Sequence, residues 1–342
     1  EGIRCTMELL EGAYAMVLIN GESLYAFRDP NGIRPLVLGK LPNDAGWCVA
    51  SETCAFDILG AEFVREVEPG EVLRINAEGL VSERAVPARK KALCIFEHVY
   101  FARPDSVMDG ATVQSMRVKM GERLACESAV EADLVIGVPD SGLPGAEGFS
   151  RASGIPCRTG FVKNRYVGRT FIQPTQEMRE LGVRLKLNPL RETIEGKRVV
   201  VVDDSIVRGT TSKQIVRMLR EAGATEVHMR IVSPEVKWPC FYGIDTDTQD
   251  QLISARKTPE EVCEWIGADS LAFLSVEGLL SCVPEGGYCC SCFDGAYPVE
   301  IPAVFSQGKF LDGYTPNNLT KASANSHRSV SDVAREIEKE YE

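Results

Sequence analysis

The stretch Arg198-Val-Val-Val-Val-Asp-Asp-Ser-Ile-Val-Arg-Gly-Thr-Thr-Ser212 decides the fold of this chain. Its valines, Val199 to Val202, predict a short strand that is buried on both faces, as in a parallel sheet. The strand ends at two adjacent carboxylates, and a loop rich in hydroxyl residues follows. Lys213 to Ala222 then predicts a helix that ends at Gly223. Strand, loop and helix in this order indicate one unit of an α/β fold.

The loop Asp203–Ser212 has the composition of a site for a sugar phosphate. In open α/β sheets, ligands bind beyond the carboxyl ends of the strands, and a helix N-terminus favours a phosphate. Gly209 permits close backbone approach to an anion, and Arg208 can add a charge-assisted hydrogen bond. The adjacent carboxylates would repel a phosphate, so they suit a ribose diol or a divalent cation. The alternative is an ordinary turn in which an aspartate caps the helix, and Asp-Asp alone favours it.

The whole segment resembles the phosphoribosyl-pyrophosphate (PRPP) motif of type I phosphoribosyltransferases. Further similarity to glutamine PRPP amidotransferases, in their iron–sulfur-containing branch, covers nearly the whole chain and lies in Gly137–Gly142, Asn164–Pro174, Arg28–Pro35 and Cys240–Asp245. The resemblance implies that Asp203 and Asp204 are catalytic and bind the ribose hydroxyls, while the loop binds the 5′-phosphate. The PRPP-binding residues that it implies are Asp203, Asp204, Ser205, Arg208, Gly209, Thr210, Thr211 and Ser212.

The sequence pattern changes near residue 88. Before it, strands and turns predominate, and the turns Asn20-Gly-Glu22 and Ala77-Glu-Gly79 predict two hairpins. A helix is expected near Thr53 to Leu59, with Ser51 as its N-cap. After it, short apolar strands alternate with helical patterns, which indicates βαβ units and a parallel sheet.

The resemblance turns this change into a domain division. It implies an α/β fold in which a parallel-sheet type I phosphoribosyltransferase domain occupies residues 89–312. The later part of an α+β N-terminal-nucleophile glutaminase domain would precede it at residues 1–88. Residues 313–342 are expected to form a tail, with a polar connector up to Arg328 and a short helix over Ser331 to Tyr341.

The first region is expected to lack glutaminase chemistry. In the family, a cysteine at the mature N-terminus attacks the glutamine amide. Cys5 is not terminal and lies in front of the helical pattern Thr6-Met-Glu-Leu-Leu10. The chain also begins at Glu1 without an initiator Met, which suggests a fragment that lacks the N-terminal catalytic segment.

A second loop is expected beside the acidic pair. Val135 to Val138 predicts a strand, and Pro139-Asp-Ser-Gly142 follows it. Ser141, Gly142 and Gly145 could accommodate a pyrophosphate. The alternative for that tetrapeptide is a simple β-turn. The resemblance implies that Ser141, Asp203 and Asp204 bind Mg²⁺, which prefers oxygen ligands and substrate phosphates. It also implies that Asn164 to Arg184 is a catalytic loop that closes over PRPP, the alternative being a mobile surface loop. Cations at Lys163, Arg165, Arg169 and Arg208 would attract the polyanionic substrate.

The cysteines contain one C-x-x-C step, Cys289 to Cys292, which is compatible with zinc, an iron–sulfur cluster or redox chemistry. Spacing alone does not complete a set of four ligands. The resemblance supplies Cys94 and Cys240, so that Cys94, Cys240, Cys289 and Cys292 would hold a structural or redox-regulatory [4Fe–4S] cluster. Zinc is the chemical alternative. Cys282 and Cys290 stay unassigned, and the three histidines are expected to be ordinary core or surface residues.

Composition restricts the function further. A net charge of −11 argues against a general nucleic-acid surface, and no apolar run has the length of a membrane span. Twelve cysteines without a signal peptide indicate a reducing compartment, so a cytoplasmic location is expected.

The resemblance implies a glycosyltransferase that makes phosphoribosylamine from PRPP and ammonia, in the first step of purine biosynthesis. In the intact family the ammonia comes from glutamine, purine nucleotides inhibit, and the enzymes form homo-oligomers. Two alternatives are a phosphoribosyltransferase for a free base and a PRPP-sensing regulator without turnover.

Overall fold

The valine run lies in a strand at the centre of a parallel sheet. The structure is a computed structural model that describes residues 1–164, 187–244, 246 and 248–301. The parallel sheet has the order β11-β14-β15-β16. Its strands are β11 (Leu134–Gly137), β14 (Arg198–Asp203), β15 (Glu226–Ile231) and β16 (Ser270–Phe273). The predicted alternation of strands and helices after residue 88 is confirmed.

Helices cover this sheet and connect its strands. Those of the second region are α3 (Val113–Glu127), α4 (Gly142–Ser153), α5 (Arg191–Ile194), α6 (Thr210–Glu221), α7 (Ile253–Arg256), α8 (Pro259–Ile266), α9 (Val276–Ser281) and α10 (Ser291–Asp294). The remaining strands of this region are β8 (Leu93–Cys94), β9 (Val107–Met108), β10 (Ala111–Thr112), β12 (Phe161–Lys163), β13 (Leu187–Pro189) and β17 (Tyr288–Cys289).

The two faces of β14 pack against two different apolar clusters. Val200 and Val202 belong to the cluster that also contains α3, α4 and the cysteine-rich segments. Val199 and Val201 belong to a second cluster, formed with α6 and α8. All four valines are fully buried, so the expectation of a strand covered on both faces is confirmed.

Residues 1–84 form two antiparallel sheets with orders β1-β2-β6-β7 and β4-β3-β5. Their strands are β1 (Ala15–Asn20), β2 (Ser23–Arg28), β3 (Val37–Lys40), β4 (Trp47–Ala50), β5 (Glu62–Glu66), β6 (Glu71–Asn76) and β7 (Gly79–Arg84). Both predicted hairpins, β1 with β2 and β6 with β7, are present. The helices here are α1 (Gly2–Leu9) and α2 (Cys54–Leu59).

The predicted N-cap of α2 at Ser51 is wrong. The helix begins at Cys54, its N-cap is Thr53, and no side chain caps it. The residues between Ser51 and the helix accept hydrogen bonds from the backbone of residues 103–107 instead. Thr53 Oγ1 accepts a hydrogen bond from the Val107 N–H at 2.8 Å, and the Glu52 carboxylate accepts one from the Arg103 N–H at 2.7 Å. The start of α2 is therefore determined by contacts to residues about fifty positions further along the chain.

The segment Arg28–Pro35 joins the antiparallel region to the segment that follows it. Arg28 is buried, and its guanidinium donates to the carbonyls of Gly32, Arg34 and Val67 at 2.8–2.9 Å. The Cys94 N–H in turn donates to the Ile33 carbonyl at 3.0 Å. This segment therefore holds β8, and with it Cys94, against the first region.

Three predicted segments extend outside the described residues. They are the loop over Asn164 to Arg184 beyond its first residue, the polar connector ending at Arg328, and the helix over Ser331 to Tyr341. Among the residues that the structure describes, no helix combines the length and the apolar character that a membrane span requires.

Candidate functional site

The candidate site lies at the carboxyl ends of β11 and β14, which are neighbours in the parallel sheet. Because parallel strands end at the same edge, the loops after them meet. The Val138 N–H donates to the Val202 carbonyl at 2.9 Å, which keeps the two strand ends in register. The loop that starts at Pro139 and the loop that starts at Asp204 therefore face one another.

The loop after β14 leads directly into a helix N-terminus. Gly209 is its N-cap and has a φ of 75°, a left-handed conformation that favours glycine. Helix α6 begins at Thr210, earlier than the predicted start at Lys213. The three hydroxyl residues Thr210, Thr211 and Ser212 therefore occupy its first turn, where backbone N–H groups have no intrahelical acceptor.

The acidic pair is buried and internally hydrogen-bonded. Asp203 is 6% exposed and Asp204 is 9% exposed. The Asp204 N–H donates to Asp203 Oδ1 at 2.9 Å. Burial raises the pKa of Asp203 well above its ordinary value, and the neighbouring Asp204 charge raises it further. Burial also raises the pKa of Asp204, which hydrogen bonds from Ser141 and Ser205 and the charge of Arg117 partly oppose. A bound cation or a ribose diol would relieve this unfavourable charge.

Ser141 contacts the acidic pair at Asp204, a proximity that the resemblance implied. Its Oγ donates to Asp204 Oδ2, and the Ser205 Oγ donates to the other oxygen of the same carboxylate. The Ser141 and Ser205 hydroxyls thus meet the Asp204 carboxylate where the two loops face one another, and the adjacent Asp203 carboxylate accepts from the Asp204 N–H. This donor set has the chemistry that Mg²⁺ prefers.

The glycines that follow Ser141 have a packing role. Gly142 faces the Val202 carbonyl, where a Cβ would collide with the backbone of β14. A Cβ on Gly145 would lie 2.7 Å from Val232 Cγ1. Both glycines therefore let α4 approach the sheet closely, and neither observation bears on the expectation that they accommodate a pyrophosphate. The peptide bond between Pro139 and Asp140 is cis.

The predicted cations are only partly described. Lys163 forms an ion pair with Asp140, so it contacts the loop after β11. Arg208 is exposed in the loop after β14. Arg165 and Arg169 lie outside the described residues. Sequence reasoning missed one cation: Arg117 on α3 is 2% exposed, and its charge acts on Asp204. An arginine in an amphipathic helix carries no sequence signal for this role.

The four cysteines of the predicted cluster are all buried within one apolar cluster of side chains. Cys94 and Cys289 are register partners in the parallel pair β8 and β17. Cys292 lies in α10, and its carbonyl accepts from the Lys237 and Trp238 N–H groups at 2.9 and 3.1 Å.

The electrostatics of these thiols also indicate that they lie near one another. Burial raises the pKa of Cys292 well above its ordinary value, and Cys94, Cys289 and Cys240 raise it further. The Tyr242 N–H donates to Cys240 Sγ at 3.3 Å, a contact that suits a thiolate. In residues 1–164, 187–244, 246 and 248–301, no three or more His, Cys, Asp or Glu side chains are arranged to hold one metal ion.

Several residues to which the sequence assigned no catalytic or ligand role lie in helices or in the core. Cys5 lies inside α1, as its neighbouring pattern indicated. His98 is fully buried, and His228 is 6% exposed with ring contacts to Ser270 and Glu226. Both are core histidines. His327 lies outside the described residues.

Comparisons with known proteins agree with this geometry. Residues 123–233 match the phosphoribosyl transferase domain family. An amidophosphoribosyltransferase from Synechocystis is 56% identical over 91% of this chain and 63% of its own length. One from Bacillus subtilis is 55% identical over 87% of this chain and 64% of its own length. The chain thus spans slightly less than two thirds of these relatives.

Two solved structures share the fold. Glutamine PRPP amidotransferase from B. subtilis, in complex with ADP and GMP, matches with a TM-score of 0.81 and 54% identity, over 88% of this chain and 67% of that one. A structure described as the allosteric regulatory enzyme of purine biosynthesis matches with a TM-score of 0.81 and 53% identity, over 88% and 66%. These matches confirm the predicted α/β fold with a phosphoribosyltransferase domain.

Proposed function

This chain belongs to the amidophosphoribosyltransferase family, and from that premise we propose that it transfers the phosphoribosyl group of PRPP to ammonia. One observation carries the proposal. The acidic pair Asp203–Asp204, the glycine-capped N-terminus of α6 and the Ser141 hydroxyl meet at one edge of a parallel sheet. The arrangement offers acceptors for a ribose diol beside donors for a phosphate.

In this proposal the ligand lies across both loops. The first turn of α6 and the Arg208 side chain bind the 5′-phosphate, because N–H groups and the helix dipole favour an anion there. Asp203 and Asp204 accept hydrogen bonds from the ribose hydroxyls. Ser141, Asp203 and Asp204 would hold Mg²⁺, which when bound supplies charge stabilisation to the departing pyrophosphate. The buried Asp203 and Asp204 carboxylates fit a cation, because a positive charge would offset the cost of burying two adjacent negative charges.

The reaction exchanges one bond at the anomeric carbon. The C1–oxygen bond to pyrophosphate breaks, and the pyrophosphate leaves with the bonding electrons. Positive charge develops on the ribose, next to the Asp203 and Asp204 carboxylates, which stabilise it. The ammonia lone pair then forms the C1–N bond, and loss of one proton yields phosphoribosylamine. This product would begin purine biosynthesis. In the full-length protein we propose that glutamine supplies the ammonia.

We further propose that Cys94, Cys240, Cys289 and Cys292 hold a [4Fe–4S] cluster. Four buried cysteine thiols in one apolar cluster are the donors that such a cofactor uses. Zinc would draw its ligands to about 2.3 Å from a single point, whereas a cluster holds them further apart. The cluster would join β8, α10 and the loop after β15, so its role is structural or redox-regulatory.

Other properties follow from the same family membership. The B. subtilis relative was solved with ADP and GMP. We propose that purine nucleotides inhibit this protein too, that it forms homo-oligomers, and that it acts in the cytoplasm. We also propose the division of the chain into a glutaminase-type part at residues 1–88, a phosphoribosyltransferase domain at 89–312 and a tail at 313–342.

The test is pyrophosphate release from PRPP with different acceptors. We expect turnover with Mg²⁺ and ammonia, and little with free purine or pyrimidine bases. Turnover with a base and not with ammonia would favour the base-specific alternative. PRPP binding without any turnover would favour the regulator. Either result would reject the proposed reaction.

A further inference from the structure

Helix α8 packs against the loop Asp203–Ser212, here called the phosphate loop, through one aromatic side chain. Trp265 lies near the end of this helix and faces Gly209, the N-cap of α6. A Cβ built on Gly209 would lie 2.8 Å from Trp265 Cζ3 and 3.0 Å from Ile253 Cδ1. The Trp265 indole and the Ile253 side chain therefore pack against the loop backbone at Gly209, its left-handed residue.

A second contact connects Trp265 to the first turns of α6. The Lys213 Nζ lies 4.6 Å from the centroid of the Trp265 ring, within the range of a cation–π interaction. The Lys213 N–H donates to the Gly209 carbonyl at 3.0 Å. A cation near a helix N-terminus is unfavourable for the helix dipole, and the electron-rich face of the indole compensates for part of that cost. Trp265 thus contacts both ends of the turn Gly209–Lys213.

Helix α8, which carries Trp265, is capped at both ends and packed into the core. Helix α8 has a complete capping box between Thr258 and Glu261 and ends at Gly267 in a left-handed conformation. Its buried residues Val262 and Ile266 belong to the same apolar cluster as Ile206 of the loop. The Ile253 N–H also donates to the Val207 carbonyl at 2.9 Å. Helices α7 and α8 therefore contact the loop at Val207 and at Gly209.

We propose that Trp265 is a positioning residue for the PRPP 5′-phosphate, because it fixes Gly209 and Lys213 in the conformation that receives the anion. The proposal rests on the proposed function, since it takes the ligand of this loop to be PRPP. A preorganised loop binds without paying an ordering cost, so loss of the support reduces affinity more than it reduces the rate of the bound complex.

The test compares three variants in the full chain. Trp265→Ala removes the support, Trp265→Phe keeps an aromatic face, and Lys213→Met removes only the charge. Trp265→Ala is expected to raise the KM for PRPP by about tenfold, with kcat within about twofold. Lys213→Met is expected to raise KM by about threefold, the value of an exposed cation–π contact. Trp265→Phe should restore most of the lost affinity. Trp47→Phe, in β4 of the antiparallel region, is the control and leaves KM unchanged.

Tryptophan fluorescence gives a readout that does not depend on turnover. PRPP and inorganic phosphate are titrated into the wild type and the Trp265→Phe variant, and the difference isolates the Trp265 signal. A Trp265 response to both anions supports the proposal. A response to phosphate and none to PRPP would reject PRPP as the ligand and keep the support role. No Trp265 response to either anion, or an unchanged KM in a folded Trp265→Ala variant, would overturn the proposal.

Discussion

Two sets of buried ionisable side chains differ in how the chain assembles them. Asp203 and Asp204 are adjacent in sequence and lie at the edge of the parallel sheet. The four cysteines come from three distant segments and lie inside an apolar cluster. Burial raises the pKa of Asp203, Asp204, Cys94, Cys289 and Cys292 alike, so both sets favour a cationic partner. The acidic pair lies at the carboxyl end of a parallel strand, where open α/β sheets bind their ligands, whereas the thiols lie among apolar side chains of the core.

Replacing the acidic pair is expected to have the largest effect. Asp203→Asn combined with Asp204→Asn should lower pyrophosphate release by about a thousandfold, because it removes the charges that stabilise the ribosyl cation. The ligand-free protein should unfold at the same or a higher denaturant concentration, since two unfavourable buried charges are gone.

The matched control for this variant is Asp133→Asn. Asp133 contacts Arg198 at the opposite end of the same sheet. The Asp133→Asn variant should therefore release pyrophosphate at the wild-type rate. Full activity in the Asp203→Asn, Asp204→Asn protein would show that the acidic pair has been misassigned.

The thiol set is expected to affect stability more than chemistry. Cys289→Ser should abolish iron and sulfide binding and lower the free energy of unfolding by about 4 kcal/mol, as loss of a structural metal centre does. Cys290→Ser is the matched control, because Cys290 is buried next to the set and is not assigned to it. Iron and acid-labile sulfide are measured in anaerobically purified protein. Zinc in place of iron would reject the cluster.

A buried histidine beside the thiol set predicts acid sensitivity. Burial lowers the pKa of His98 from 6.5 to about 4, and Asp109 opposes this only in part. The unfolded chain therefore takes up the proton first as the pH falls. The contribution of neutral His98 to the free energy of unfolding should be fully present above pH 6.5. It should be lost as the pH falls from 6.5 to about 4, which lowers the free energy of unfolding by about 3 kcal/mol.

Denaturant unfolding of the variant His98→Phe at several pH values tests this expectation. Its free energy of unfolding should fall less steeply with acid than that of the wild type. Phe149→Leu, a change at a buried aromatic residue that carries no titratable group, is the control and should keep the wild-type slope. Identical slopes for the wild type and His98→Phe would refute the assignment.

The smallest of these effects concerns the glycine of the phosphate loop. Gly209 and Gly154 have the same φ of 75°, but only Gly209 has neighbours in the space that a Cβ would occupy. Gly154→Ala should cost about 1 kcal/mol from its left-handed conformation alone and leave the KM for PRPP unchanged. Gly209→Ala should cost about 1 kcal/mol more, since Trp265 must move, and should raise that KM. Equal effects of both substitutions would show that Trp265 does not restrain the loop.

The comparison also explains what sequence reasoning found. The acidic pair, the loop and α6 form one contiguous stretch of sequence. The run of valines, the loop residues and the helix-end signal at Gly223 therefore predicted the strand, the loop and the helix together. The start of α6 was placed too late because helix propensity does not include the glycine cap at residue 209. Contacts between distant residues were inaccessible to the same reasoning. Arg117 and Trp265 lie on helices that are separate in sequence from the acidic pair and its loop, and the four thiols were grouped only by resemblance. Likewise, the N-cap assignment at Ser51 failed because residues 103–107 hold the preceding segment.

The most direct test of the central claim is phosphorus NMR of PRPP incubated with the chain, Mg²⁺ and ammonia. We predict that free pyrophosphate appears in proportion to the protein present and does not appear with the Asp203→Asn, Asp204→Asn variant. PRPP that stays intact with the wild-type chain, or that is consumed equally by both proteins, would contradict it.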